Sequence, residues 1–174
     1  MRATLALGLA ACAALTLAGC AQSSTSGPSL VTTKSSTQLL MNEAVSRVPG
    51  YMVQGEKTYS DVSEACKTRN NEEGLIRLWR SSATIELQNN ASVKSATIIA
   101  DIAAGFAEQG WKANDFDGGT VELTKDSSPS TIRFTPKPLQ SGLGGKLIVE
   151  ARGACVTTDG PDSDEVKTLE NRTD

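Results

Sequence analysis

Histidine is missing from this 174-residue chain, and aromatic residues make up only 4% of it. Without histidine there is no Ser-His-Asp or Cys-His nucleophilic machinery. With so few rings the core is built from aliphatic side chains, and Trp79, Phe106, Trp111, Phe116 and Phe134 are its few large pieces. The chain also lacks CxxC, GxSxG, SxxK, P-loop and GxGxxG patterns. Two distant cysteines cannot supply the four ligands of a structural zinc site, so no metal and no cofactor is expected. There is no basic surplus. The 17 Lys and Arg residues are outnumbered by 20 Asp and Glu, which speaks against nucleic acid as a partner. A long apolar run occurs once, at the start.

That run is "ATLALGLAACAALTLAG", behind Arg2. A short positive region, an uncharged apolar stretch and small residues at its end have the layout of a secretory signal peptide. The run is short for a bilayer core of about 30 Å, and no Lys or Arg cluster follows it. Residues 1–19 are therefore read as a leader and excluded from fold reasoning. The run stops at Leu17-Ala18-Gly19-Cys20. This stretch resembles the bacterial lipobox, in which small residues precede a cysteine that is acylated on sulfur and becomes the mature N-terminus. The resemblance implies that Cys20 carries lipid and holds the protein on the outer side of the cell membrane, where two or more acyl chains anchor stably. The next residues, "AQSSTSGPSLVTTKSS", are mostly Ser and Thr and bury little apolar surface. They are expected to form a flexible tether over 20–36.

Of four cysteines, Cys12 leaves with the leader and Cys20 takes lipid, so Cys66 and Cys155 remain. An even pair in an oxidising compartment predicts a disulfide closing a loop of 89 residues. Residues 20–158 hold 14 charges of each sign, whereas 159–174 holds six acids against Lys167 and Arg172. The segment 158–174 is expected to be a solvated acidic tail, leaving 37–157 as a single domain.

Within that domain Leu39, Leu40, Ala44, Val45 and Val48 recur at helical spacing, predicting a helix over 36–48, capped by Ser36 or Thr37 and ended by Pro49-Gly50. Tyr51–Tyr59 has room for a short strand, and Cys66 falls in or just after a polar loop. Leu75–Leu87 reads as a long strand with a bulge near Ser81-Ser82. Ala96, Ile99, Ile102, Ala103 and Phe106 define a second helix, capped by Ser92 and stopped at Gly110. The period then changes to two. "WKANDF", "TVELTK", "TIRFTP" and "KLIVEARGAC" alternate in turn. They are separated by Asp117-Gly118-Gly119, by a turn over Asp126–Ser130 and by "KPLQSGLGG". Helix, strand, helix and a run of short strands predict an α+β two-layer sandwich. Two helices would cover one face of a four- to five-stranded antiparallel sheet, with the other face open to solvent.

The leader ending in LAGC, the Ser/Thr tether, a cysteine before "RLWRSSATIEL", a helix ending in Gly110-Trp111 and a closing "GAC" resemble the small Lpp-type envelope lipoproteins of actinobacteria. The resemblance implies location and the disulfide, and carries over no functional residues beyond Cys20, Cys66 and Cys155. Carboxylates adjoin at Glu72-Glu73 and at Asp115 and Asp117, and such pairs in loops are usually solvated. Three functions follow from these features. One is a non-enzymatic binding or accessory module held on the membrane, meeting an envelope protein or ligand at the open sheet face. The second is a small-molecule or lipid carrier, which needs a cavity between helices and sheet. The third is a hydrolase using paired carboxylates.

Overall fold

A computed structural model of the chain describes residues 27–88, 94–137 and 145–171. In chain order it comprises α1 (Leu30–Ser46), β1 (Thr58–Ala65), β2 (Ile76–Leu87), α2 (Ser95–Ala107), β3 (Lys112–Asp115), β4 (Val121–Lys125), β5 (Ser128–Lys137), β6 (Gly145–Arg152), β7 (Val156–Thr157) and α3 (Asp164–Leu169). The fold is α+β, as the alternation of periods predicts, but the sheet is larger than expected. It has seven strands in the order β1-β2-β6-β5-β4-β3, with β7 also on β2, and every pairing among the described strands is antiparallel.

Alternation sorts the side chains. In β2, Arg77, Trp79, Ser81, Ala83, Ile85 and Leu87 are buried and their neighbours are not, so one face points to the helices and the other to solvent. Met41, Ala44 and Val45 of α1 and Ile98, Ile99, Ile102 and Phe106 of α2 cover Ile85, Leu123, Ile132, Phe134, Leu147 and Val149. Each fully buried aliphatic or aromatic side chain contributes about 1.5–3 kcal/mol. The strand reading from Leu75 holds, but without the bulge, because β2 keeps one register with β1 and with β6 through Ser81-Ser82. Register shifts instead at β4, between Leu123 and Lys125. It shifts again where β6 gives way to β7. Arg80 pairs with Arg152 and Arg77 with Val156, three steps along β2 for four along its partner. The extra residue lies in Gly153-Ala154-Cys155. Gly153 is needed here for space, since a Cβ would fall 2.1 Å from the Thr33 methyl of α1.

Four expectations change. The predicted tether over 20–36 ends early, because α1 begins at Leu30, with a capping box between Ser29 and Thr32. Leu30 is buried with Trp79, Val156 and Val166, and that burial orders a Ser/Thr-rich first half of low intrinsic propensity. The short strand placed at Tyr51–Tyr59 is mainly a 3-10 turn (Gly50–Met52) and a single bridge from Val53 to Leu87, and the strand proper is β1. The acidic tail from 158 is not wholly solvated: it forms α3, capped by Ser163, and buries Val166. Finally, Lys94 occupies the N-cap of α2 with no side-chain bond. The expected cap at Ser92, the loop at 138–144, the leader at 1–19 and Cys20 lie outside the described residues. Gly110 does end the second helical segment, at φ +86°. Among the described residues no helix is long and apolar enough to cross a membrane.

Candidate functional site

The solvent-facing side of the sheet carries the largest ordered set of charged side chains. The strands present their charges at positions of the same parity, and register lines them up. Arg133 on β5 lies opposite Glu122 of β4 on one side and Glu150 of β6 on the other. Glu150 in turn lies opposite Ser82 of β2. The ion pairs run along this line: Arg133–Glu122 at 2.7 Å, Arg152–Glu150 at 2.6 Å, Arg80–Glu150 at 3.6 Å and Arg80–Glu64 at 2.6 Å. The result is a band of three arginines and three glutamates from β4 to the edge strand β1. At its β4 end the Arg133 guanidinium sits 5.5 Å from the ring of Phe116, which is 49% exposed.

The side chains of the band are partly buried, Arg80 at 22% and Glu150 at 17% exposure, and ion pairs near a surface contribute about 0–1 kcal/mol each, so the band adds modestly to a stability that the opposite face supplies through the core. What the band offers is a charge-balanced surface of ion-paired arginines beside an exposed aromatic ring. Those are the side-chain types that carry most binding energy at protein interfaces.

The helix-facing side holds a different polar cluster. Asp61 of β1 accepts hydrogen bonds from the Trp79 indole at 3.1 Å, from Gln38 of α1 at 3.1 Å and from the Ser81 hydroxyl. Ser81 also bonds Thr37 of α1 at 3.0 Å. Lys34 lies 4.7 Å over the Trp79 ring and donates to the Leu169 carbonyl at the end of α3. Burial pushes the Asp61 carboxyl up, but the bonds from Ser81, Gln38 and Trp79 and the charge of Lys34 outweigh it and hold Asp61 below its ordinary value. Ser81 is fully buried, so its hydroxyl meets no substrate, and the cluster ties α1, β1, β2 and α3 together.

The residues singled out in the sequence are distributed as follows. The Sγ atoms of Cys66 and Cys155 are 2.04 Å apart, at disulfide distance, with Cα atoms 6.2 Å apart. They join the end of β1 to the break between β6 and β7. Trp79 and Trp111 are both buried, Trp111 edge-on to Phe106, so neither ring lines a surface groove. Asp115 and Asp117 are exposed at the β3–β4 hairpin, and Glu72 and Glu73 in the loop before β2. Sequence reasoning missed that Glu73 meets the C-terminal acids. Together with Asp159, Asp162, Asp164 and Glu165 it surrounds a cleft of about 630 Å³. Among the described residues no group of three or more His, Cys, Asp or Glu could hold a metal ion. The space between helices and sheet is filled by Phe106, Phe134 and their aliphatic neighbours. Grooves of about 450 and 350 Å³ lie at its margins, one along α1 and one between α2 and β3.

Comparison of the chain with protein-family models, with curated proteins and with solved structures returned no match.

Proposed function

We propose that this protein is a lipid-anchored, non-enzymatic binding module on the extracytoplasmic face of a bacterial cell membrane, and that its partner is an envelope protein docked on the open face of the sheet. The address rests on the Leu17-Ala18-Gly19-Cys20 stretch and on a cysteine pair suited to an oxidising compartment. The binding role rests on one observation, the ordered Arg–Glu band with Phe116 at its end. Balanced charge suits a partner of alternating charge rather than a polyanion. Complementarity of that kind selects partners and speeds encounter more than it adds affinity.

The test is site-specific photo-cross-linking in intact envelopes, with the probe at Ser82 in the middle of the band. A single adduct of defined mass is expected, absent when Arg80 and Arg133 are both changed to Glu in a protein that still folds. A Ser82 probe that gives no adduct, or an adduct indifferent to both substitutions, overturns the docking face. The anchor is read separately, by mass spectrometry of membrane-extracted protein: a mature N-terminus at Cys20 carrying acyl mass that Cys20→Ala loses is expected, and an unmodified Cys20 removes the lipid reading.

A further inference from the structure

The exposed residues of α1 are Val31, Thr32, Ser35, Ser36, Leu39, Asn42 and Ser46, none of them charged. The helix has only two charged residues, and both are engaged with neighbours: Lys34 with Trp79 and the Leu169 carbonyl, Glu43 with Arg47 and Gln109. A helix whose outer side faces water ordinarily places its charges there. Here Val31 is 49% exposed and Leu39 is 72% exposed. Beside Leu39 runs the groove of about 450 Å³, walled by Pro28, Leu40, Pro129 and Ala154.

Where the chain leads from this face gives the occupant. Pro28 lines the groove, and Cys20 lies eight residues before it. Eight residues reach at most about 26–29 Å even when fully extended. The tether expected from composition is halved, because α1 takes up residues from Leu30 onward. A lipid on Cys20 therefore keeps this face within one short span of the bilayer, and so short a link raises the local concentration of the surface enough for a weak contact to persist.

We propose that the α1 face lies on the lipid surface, with Val31, Leu39 and the groove taking the boundary between headgroups and acyl chains. The inference rests on lipidation at Cys20. An uncharged face has no ion to strip of water at that boundary, and the exposed apolar side chains gain by leaving water. The helical layer then faces the membrane, and the Arg–Glu band on the opposite side of the sheet faces the compartment, where a protein partner reaches it.

The experiment uses the mature protein, with lipid on Cys20 confirmed by mass spectrometry, reconstituted in phosphatidylcholine vesicles. An environment-sensitive fluorophore is placed at Leu39→Cys, and separately at Glu86→Cys on the exposed outer face of β2. Cys12 is lost with the leader, Cys20 is acylated and Cys66 is joined to Cys155, so each introduced thiol is the free one. The expected result is a blue shift at position 39 and loss of its emission to nitroxide-labelled lipid, with neither at position 86. Adding Leu39→Asp in a protein labelled at Val31→Cys should abolish quenching at 31 while near-ultraviolet dichroism stays native. Vesicle-bound protein whose probes at 39 and 86 are equally unquenched overturns the lipid-facing orientation and leaves the anchor standing. A blue shift at 39 in native envelopes but not in pure lipid vesicles also overturns it, and assigns the face to a protein. Protein that carries no lipid and does not sediment with vesicles overturns the anchor, and the orientation with it.

Discussion

Asp61 shows how one side chain couples the helical layer to the sheet. It accepts bonds from Ser81, Gln38 and Trp79, and its carboxyl titrates below the ordinary value because those bonds and Lys34 outweigh the effect of burial. The folded pKa is depressed, so between the folded and unfolded values the unfolded chain binds more protons. The stabilisation is therefore fully present above an unfolded pKa of about 3.9 and lost as pH falls through the folded value. Asp61→Asn should lower stability by about 1–2 kcal/mol near neutral pH, because its amide offers donors where Gln38 and Ser81 already donate. The difference from the parent should shrink below about pH 4. Urea denaturation at neutral pH and at the acid end checks both the size and the trend. A difference that grows on acidification would mean that Asp61 is held neutral in the folded chain.

Among the elements, legibility followed the strength of apolar periodicity. The second helix, β2 and the β4–β5–β6 run stand out in the sequence because apolar residues recur with period 3.6 in the helix and 2.0 in the strands. The first half of α1 does not, since "LVTTKSSTQ" reads as tether. The docking of Leu30 and the capping box between Ser29 and Thr32 hold it as a helix. β1 is an edge strand with mostly polar side chains, and its one buried residue, Ser63, is polar. α3 has six residues, far below the length at which a helix persists in water on its own. It forms because Val166 enters the cluster of Leu30, Trp79 and Val156. Val166→Asp should undock it, lower stability by roughly 2–4 kcal/mol and speed amide exchange at the start of α1. Urea denaturation and hydrogen exchange read the two effects, and unchanged exchange in α1 would show that α3 packs independently. The candidate site was half legible on the same grounds. Glu122, Arg133, Glu150 and Arg80 sit at polar positions of alternating strands, but their alignment depends on register, which long-range pairing sets.

At the scale of the whole molecule, the Cys66–Cys155 link encloses β2, α2 and the entire β3–β6 meander. Closing a loop of that size restricts the unfolded chain, and reduction should cost about 2–5 kcal/mol. Thermal or urea unfolding with and without reductant measures it, and coincident curves would show that the bond contributes no net stability. The same bond sets how the protein bears load. Force applied through the two termini straightens only what lies outside the covalent ring. The 89-residue separation between the two cysteines, about 300 Å of contour if fully extended, stays closed to any force applied through the termini. The arginine-bearing strands β5 and β6 lie wholly inside that ring, so mechanical tension can unspool α1 and α3 while the ring's covalent closure remains intact.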